Sequence, residues 1–192
     1  MTLDRVPVRP PEGDVPASQS RTTLARVMGV MDCNNYGNVH GGVIMRAVDE
    51  AAAVAAVRHS DGPAVTVFMD SMEFREPVKQ GDLLTTYAQV NWTGTTSMEV
   101  GVHVTAQRLD VKGEIHVATA YLVFVAIDAD GRPRAIPQVI PETDEDRRRR
   151  EEARIRRESR LRRREAIRAL RESDEPSDEP SDEPGEGTSK PG

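Results

Sequence analysis

The alternation of apolar and polar positions changes its period twice between residues 21 and 141, and each change marks a new kind of element. Threonine, leucine and valine over residues 21–31 predict a first strand that runs into a polar, glycine-containing loop. Beyond the loop, Val43, Ile44, Ala47, Val48, Ala51, Ala52, Val54, Ala55 and Val57 spread over most of the circumference of a proline-free segment. That spread predicts a helix over about residues 42–59, buried on nearly every side. After Gly62 and Pro63 the period falls to two. Residues 64–76 read as a long strand, with Val65, Val67 and Met69 on one parity and Phe68, Met72 and Phe74 on the other. Residues 83–92 give the next strand, and Gly94 lies in a short hairpin connection. Met98, Val100, Val102, Val104 and Ala106 then alternate with Glu99, His103, Thr105 and Gln107, as in a half-buried antiparallel strand. A turn is expected over residues 110–113, and residues 115–128 are apolar on both faces, as in a central strand.

These elements predict an α+β fold in which an antiparallel sheet wraps around a central helix, the hotdog arrangement. One such sheet covers only one side of an almost uniformly apolar helix. The pattern therefore also predicts burial by a partner copy, and at least a dimer.

The chain ends read differently. Residues 1–20 are proline-rich and without periodicity, the composition of a flexible arm, and the core is confined to residues 21–141. Residues 142–172 predict an arginine-rich helix, with Thr143 as N-cap and acids at 144–146 in the first turn. Residues 173–192 carry a tandem Ser-Asp-Glu-Pro repeat, which reads as a disordered acidic tail. The formal charge of −6 thus conceals a basic block and an acidic one. Glutamates interleave with the arginines at helical spacing, which points to a solvated, ion-paired helix before it points to nucleic acid. No apolar run suits a signal peptide or a membrane span, and the lone Cys33 excludes an internal disulfide; a cytoplasmic protein without a membrane partner is expected.

The chemistry concentrates where the loop meets the helix. Gly41 and Gly42 permit close approach of a ligand to the backbone, and the helix start offers free amides and a partial positive charge to a developing oxyanion. Asp49, about two turns further on, can accept a proton, or can pair with a cation such as Arg46. Asn34 can orient water or a carbonyl, and Asn34, Asn35 and Asn38 serve equally well as turn and cap residues. Glu50 reads as structural. Cys33 with His40 lacks a third group to form a thiol site, and His103 and His116 lack metal-ligand spacing. Phosphate-loop and dinucleotide fingerprints are missing, so neither a metal nor a bound cofactor is expected.

The run Asp32-x-Asn34-x-x-Gly37-Asn38-Val39-His40-Gly41-Gly42-x-x-Met45-x-x-x-Asp49-Glu50, followed by Arg58-His59, resembles the hotdog-fold acyl-CoA thioesterases, especially the cytosolic long-chain acyl-CoA hydrolases and their single-domain bacterial relatives. The likeness continues through Val65-Thr66, Asp70, Phe74, Pro77-Val78, Gly81-Asp82, residues 96–100 and residues 137–143. It implies hydrolysis of an acyl-CoA to free coenzyme A and a carboxylic acid, with coenzyme A present only as part of the substrate. It also implies that Asn34 and Asp49 form the catalytic pair from opposite subunits, with the Gly42 amide as oxyanion donor. Asn38, His40, Gly41, Arg58, Thr96 and Ser97 are the expected substrate contacts, with arginines near 147–150 as further candidates for the coenzyme A phosphates. A homodimer assembled as a trimer of dimers is the implied partner arrangement. A non-catalytic acyl-CoA-binding regulator on the same fold is the alternative, although no output element flanks the core. A hotdog hydratase finds no matching Asp/His arrangement after Asp49.

Overall fold

Ala51, Ala52, Ala55 and Ala56 align with Ile44 and Val48 on one face of the central helix, and none of the six is more than 3% exposed. Their small side chains let a sheet approach the helix backbone closely. In the computed structural model, which describes residues 13–108 and 112–173, this helix, α1, spans Gly41–Ser60. It stops at Asp61, whose left-handed φ of 49° and N–H bond to the Val57 carbonyl cap the last turn. Elsewhere α1 is partly uncovered: Met45 near its start, and Val54 and Val57 on the far face, are 36–43% exposed. The expected burial on nearly every side is thus met on one side only within a single chain.

The strands are β1 (Val15–Pro16), β2 (Thr22–Val27), β3 (Ala64–Phe74), β4 (Leu83–Thr93), β5 (Ser97–Gln107), β6 (Ile115–Ala126) and β7 (Val139–Ile140). Five of them form the sheet around α1 in the order β2-β4-β5-β6-β3, every neighbouring pair antiparallel. The apolar parity read in β5 holds, but the strand is not half-buried, since Glu99 and Thr105 on its other face are buried as well. Met98, Val100, Val102, Val104 and Ala106 all point into the core beside Leu84, Ala88 and Val90 of β4 and Ala118, Ala120 and Leu122 of β6. In β3, register irregularities between Thr66 and Phe68 and between Met69 and Ser71 reset the two expected parities. As an edge strand β3 also leaves Val65, Val67, Phe68 and Phe74 38–53% exposed.

Residues 15–20 differ from the arm expected over residues 1–20. β1 pairs in parallel with β7, and the 3-10 turn Ala17–Ser20 buries Ala17 and Ser20. The Ser20 hydroxyl donates to the Ala17 carbonyl and accepts the Val90 N–H. A two-residue strand and a single turn carry no periodicity, which is why the pattern did not reveal them. The expected tail beyond Ser173, and half of the expected turn at 110–113, lie outside the described residues. Among the described residues, no helix is long and apolar enough to cross a membrane.

The second helix, α2 (Asp144–Ser173), begins with a capping box: Thr143 Oγ1 accepts the Asp146 N–H and Asp146 Oδ2 accepts the Thr143 N–H. Asp146 also accepts bonds from Gln89 at 2.7 Å and from Arg21 at 3.1 Å. Burial alone would raise its pKa, but the donors from Gln89, Thr143 and Glu142 outweigh it and hold the carboxyl at about 2. Further along, Arg156 clasps the buried Glu99 at 2.7 Å and lies 3.5 Å over the Tyr121 ring, while Arg157 lies 5.0 Å over Trp92. The first half of α2 is therefore docked on the outer sheet face by charges, which a sparse apolar stripe could not foretell. The chain divides after Arg157, and the described part of the second unit is the helix end over residues 158–173, nearly all of it exposed.

A depressed carboxylate stabilises the fold above its unfolded pKa near 3.8 and ceases to do so as pH falls toward 2. Asp146→Asn is expected to cost about 2 kcal/mol at neutral pH, discounted for the half-exposed Arg21 partner. The penalty should shrink between pH 4 and pH 2; denaturant unfolding of both proteins across that range checks it.

Candidate functional site

The loop between β2 and α1 is closed at its base by Asp32. Its carboxylate pairs with Arg26 and accepts the Gly29 N–H at 2.7 Å, and its carbonyl accepts the His40 N–H at 2.9 Å. The Arg26 bond and then the Gly29 amide hold the Asp32 carboxyl below the usual carboxylate range. Above this base, Cys33 bridges Val39 and Asn38 bridges Lys79. The tip turns at Gly37, whose φ of 77° suits glycine.

Asn34 does two things in this loop. Its side-chain oxygen accepts the N–H groups of Tyr36 at 2.9 Å and Asn38 at 3.3 Å, an Asx-type turn. Its NH₂ group has no partner among the described residues and remains a donor. The turn reading is thus met by the side-chain oxygen, and the NH₂ group is left over from it.

At the start of α1, His40 provides no side-chain cap, and the Gly41 and Gly42 amides find no acceptor among the described residues. These are the orphan donors of a helix N-terminus. A Cβ at Gly42 would meet open space, and one at Gly41 would lie 3.5 Å from the Phe74 ring. A cavity of about 290 Å³ opens beside them, lined by Asn38, Gly41, Ile44, Phe74 and Val78 among others. A larger one of about 560 Å³ lies on the outer sheet face against α2, away from the loop and the start of α1.

Asp49 is half-buried, and its Oδ1 accepts the Thr66 hydroxyl at 2.7 Å. Arg46 bonds Glu50 instead, at 2.8 Å, which removes the proposed Arg46 partner of Asp49 and gives Glu50 a structural role. Thr66 was legible only as part of a wider resemblance. No periodicity singles out the β3 hydroxyl that happens to face α1.

These groups do not converge within one chain. Seven residues of helix separate Gly42 from Asp49, a rise of about 10 Å, so a carbonyl held at Gly42 is out of reach of a water held at Asp49. Arg58 lies about 24 Å along the axis from Gly42, where its guanidinium bonds the Arg21 carbonyl at 2.8 Å. Thr96 and Ser97 close the β4–β5 hairpin, with the Ser97 carbonyl accepting the Gly94 N–H and the Thr96 carbonyl accepting the Ala126 N–H. Cys33 Sγ contacts the Gly29 carbonyl rather than His40. His103 and His116 stack at 4.3 Å, burial and the neighbouring imidazole lower the His103 pKa, and no metal-holding group of three occurs among the described residues.

A helix wrapped by an antiparallel sheet is the hotdog arrangement, and here it carries unoccupied amides at the helix start and a carboxylate further along. The family model of the thioesterase superfamily matches residues 36–111. An uncharacterized acyl-CoA thioester hydrolase of Bacillus subtilis is 40% identical over 116 residues, covering 60% of this chain and 67% of that protein. The cytosolic acyl coenzyme A thioester hydrolase of Mus musculus is 33% identical over 150 residues, which span 77% of this chain but only 39% of that longer protein. Among solved structures, the Staphylococcus aureus acyl-CoA hydrolase with butyryl coenzyme A and coenzyme A has a TM-score of 0.76 and 34% identity, covering 83% of this chain and 97% of that one. An apo-hexameric acyl-CoA thioesterase has a TM-score of 0.77 and 36% identity over 79% of this chain and 97% of that one. The chain belongs to the hotdog-fold acyl-CoA thioesterases of this superfamily. Structures of the Staphylococcus aureus enzyme also exist with an asparagine, an aspartate or a threonine changed to alanine. The spacings of those three residues, 15 and 17, equal those from Asn34 to Asp49 and from Asp49 to Thr66 here.

The two roles of Asn34 are separable. Asn34→Asp keeps the acceptor and should leave thermal unfolding nearly unchanged, whereas Asn34→Ala should lose about 1 kcal/mol of stability with the turn. Melting curves of the two variants check this.

Proposed function

We propose that the protein hydrolyses acyl-CoA thioesters to coenzyme A and a carboxylic acid in a site assembled from two copies of the chain. The observation that carries this reading is the separation of about 10 Å between the Gly42 amide and Asp49, two groups that one thioester carbonyl and its attacking water both require. A second α1 running antiparallel brings one copy's Asp49 opposite the other copy's Gly42 and Asn34. The exposed face of α1 and the outer edge of β3, the last strand of the sheet among the described residues, offer an apolar surface and a strand edge for such a two-fold contact. Hexameric assembly among relatives suits a trimer of these dimers.

In the reaction, water attacks the carbonyl carbon while the Asp49 carboxylate accepts its proton, and Thr66 fixes the carboxylate by holding Oδ1. Negative charge gathers on the carbonyl oxygen, where the Gly42 amide and the Asn34 NH₂ group of the other copy donate. Collapse breaks the C–S bond and releases coenzyme A as the thiolate, which takes the proton held by Asp49 and so restores the carboxylate. Every group used is a protein group or water. Asn38, His40 and Gly41 border the acyl thioester, and Arg58, Thr96 and Ser97, remote from Gly42 in one copy, are assigned to the coenzyme A portion reaching across the dimer. A cytoplasmic setting is inferred from the lone Cys33 and the cytosolic relative.

Thiol release from acyl-CoA esters of graded chain length tests the activity. Asp49→Asn is expected to lower kcat by roughly 10²- to 10⁴-fold with the oligomer intact; unchanged turnover would remove Asp49 from the mechanism. Sharing of the site has its own readout. When inactive Asn34→Asp and Asp49→Asn chains are dissociated, mixed and reassembled, statistical pairing restores roughly a quarter of the wild-type rate, because half of the dimers are mixed and each has one intact site. No recovery would mean that each site is built from one chain.

A further inference from the structure

In the helix end over residues 158–173, six arginines stand against three glutamates, and the signs are sorted. Arg160, Arg164, Arg168 and Arg171 follow at spacings of four, four and three, so they share one face. Glu158, Glu165 and Glu172 follow at seven-residue spacing along the neighbouring face. Arg168 reaches Glu172 at 3.4 Å, whereas Arg164 and Arg171 have no ion pair among the described residues. Like charges one turn apart repel, and counter-charge laid along such a stripe relieves the repulsion. Leu161, Ile167 and Leu170 are exposed but do not share a face, since six residues of helix rotate Ile167 by about 120° from Leu161. The helix therefore has no apolar seam with which to dock on a core or lie in a lipid surface.

We propose that the arginine stripe is a docking surface for the chain's own acidic segment, residues 174–192, which folds back along residues 158–173. That segment starts where α2 ends and contains Asp174, Glu175, Asp178, Glu179, Asp182, Glu183 and Glu186 against the single Lys190. An Asp-Glu pair recurs every four residues, about 12 Å in an extended proline-containing chain. Eight residues of helix, from Arg160 to Arg168, also rise about 12 Å. Successive acidic pairs thus meet successive pairs of arginines. Covalent attachment supplies the segment at an effective concentration on the order of millimolar, ahead of a free polyanion. The acidic repeat is then a built-in occupant that keeps other anionic polymers off the helix. This inference is independent of the thioesterase chemistry.

The test uses the full chain with Cys33→Ser and Ser177→Cys, a bimane dye on the new thiol, and Ile167→Trp, at the border of the stripe, as a contact quencher on the helix. Quenching relative to the chain without Ile167→Trp is expected at low salt, and about 0.5 M salt should abolish it. Arg164→Gln with Arg171→Gln should reduce it severalfold, while Arg162→Gln, off the stripe, should leave it in place. Quenching that is absent, or insensitive to salt and to the stripe substitutions, overturns the proposal. So does displacement of the dye, at physiological salt, by a single-stranded oligonucleotide or by phosphatidylglycerol vesicles, which would assign the stripe to that polyanion.

Discussion

The rise of an α-helix, about 1.5 Å per residue, is the constraint from which the rest of this protein follows. It fixes the first-turn amides and the carboxylate of α1 too far apart to act on one carbonyl, while placing both on a helix that a single sheet covers on one side only. Exposure of Met45, Val54 and Val57 and incompleteness of the site are then two consequences of the same geometry. In the proposed two-fold dimer a second copy would relieve both at once, since what α1 lacks at one end its partner would carry near the middle. The helix is rich in alanine where it meets its own sheet and in larger apolar residues where it does not, the distribution expected of a helix with a close neighbour on one side and a separate copy on the other.

The remote end of α1 is held by a relay of polar contacts. Asp146 of α2 binds Arg21 and Gln89, the Arg21 carbonyl accepts Arg58 of α1, and the Arg21 amide bonds the Ser18 carbonyl of the N-terminal turn. The first half of α2, residues 15–21 and the last turn of α1 are therefore one linked assembly. Its central group is a buried carboxylate with donors on every side, a case where removing one partner costs more than the pair contributes. This accounts for a charged helix docking firmly on a sheet face without an apolar stripe.

The sheet and central helix were legible because period two and near-uniform apolarity are strong signals, and Met98 through Ala106 express the first without a break. Edges and ends were less legible. The parity of β3 failed at its bulges, because an inserted residue shifts every side chain beyond it. Residues 15–20 read as a loose arm because parallel pairing over two residues leaves no pattern. In the candidate site, Gly41, Gly42 and Asn34 could be proposed from residue type and position, whereas the choice between Arg46 and Thr66 as the partner of Asp49 could not. Arg46 is near in sequence and Thr66 is near in space, and the bond at 2.7 Å goes to Thr66.

That choice bears on what Asp49 can do. An arginine within reach would engage both carboxylate oxygens, as Arg156 does with Glu99, and hold the group as a structural anchor. A threonine offers one hydroxyl to one oxygen. It fixes the rotation of the carboxylate and leaves Oδ2 without a partner among the described residues, open to water. Asn34 shows the same economy: its oxygen orders the loop and its NH₂ group stays unbound. In each case the backbone or a neutral side chain occupies one end of the group, and the other end has no partner among the described residues. An oriented, half-satisfied polar group is costly in a finished core but suits a site that substrate and a partner subunit complete.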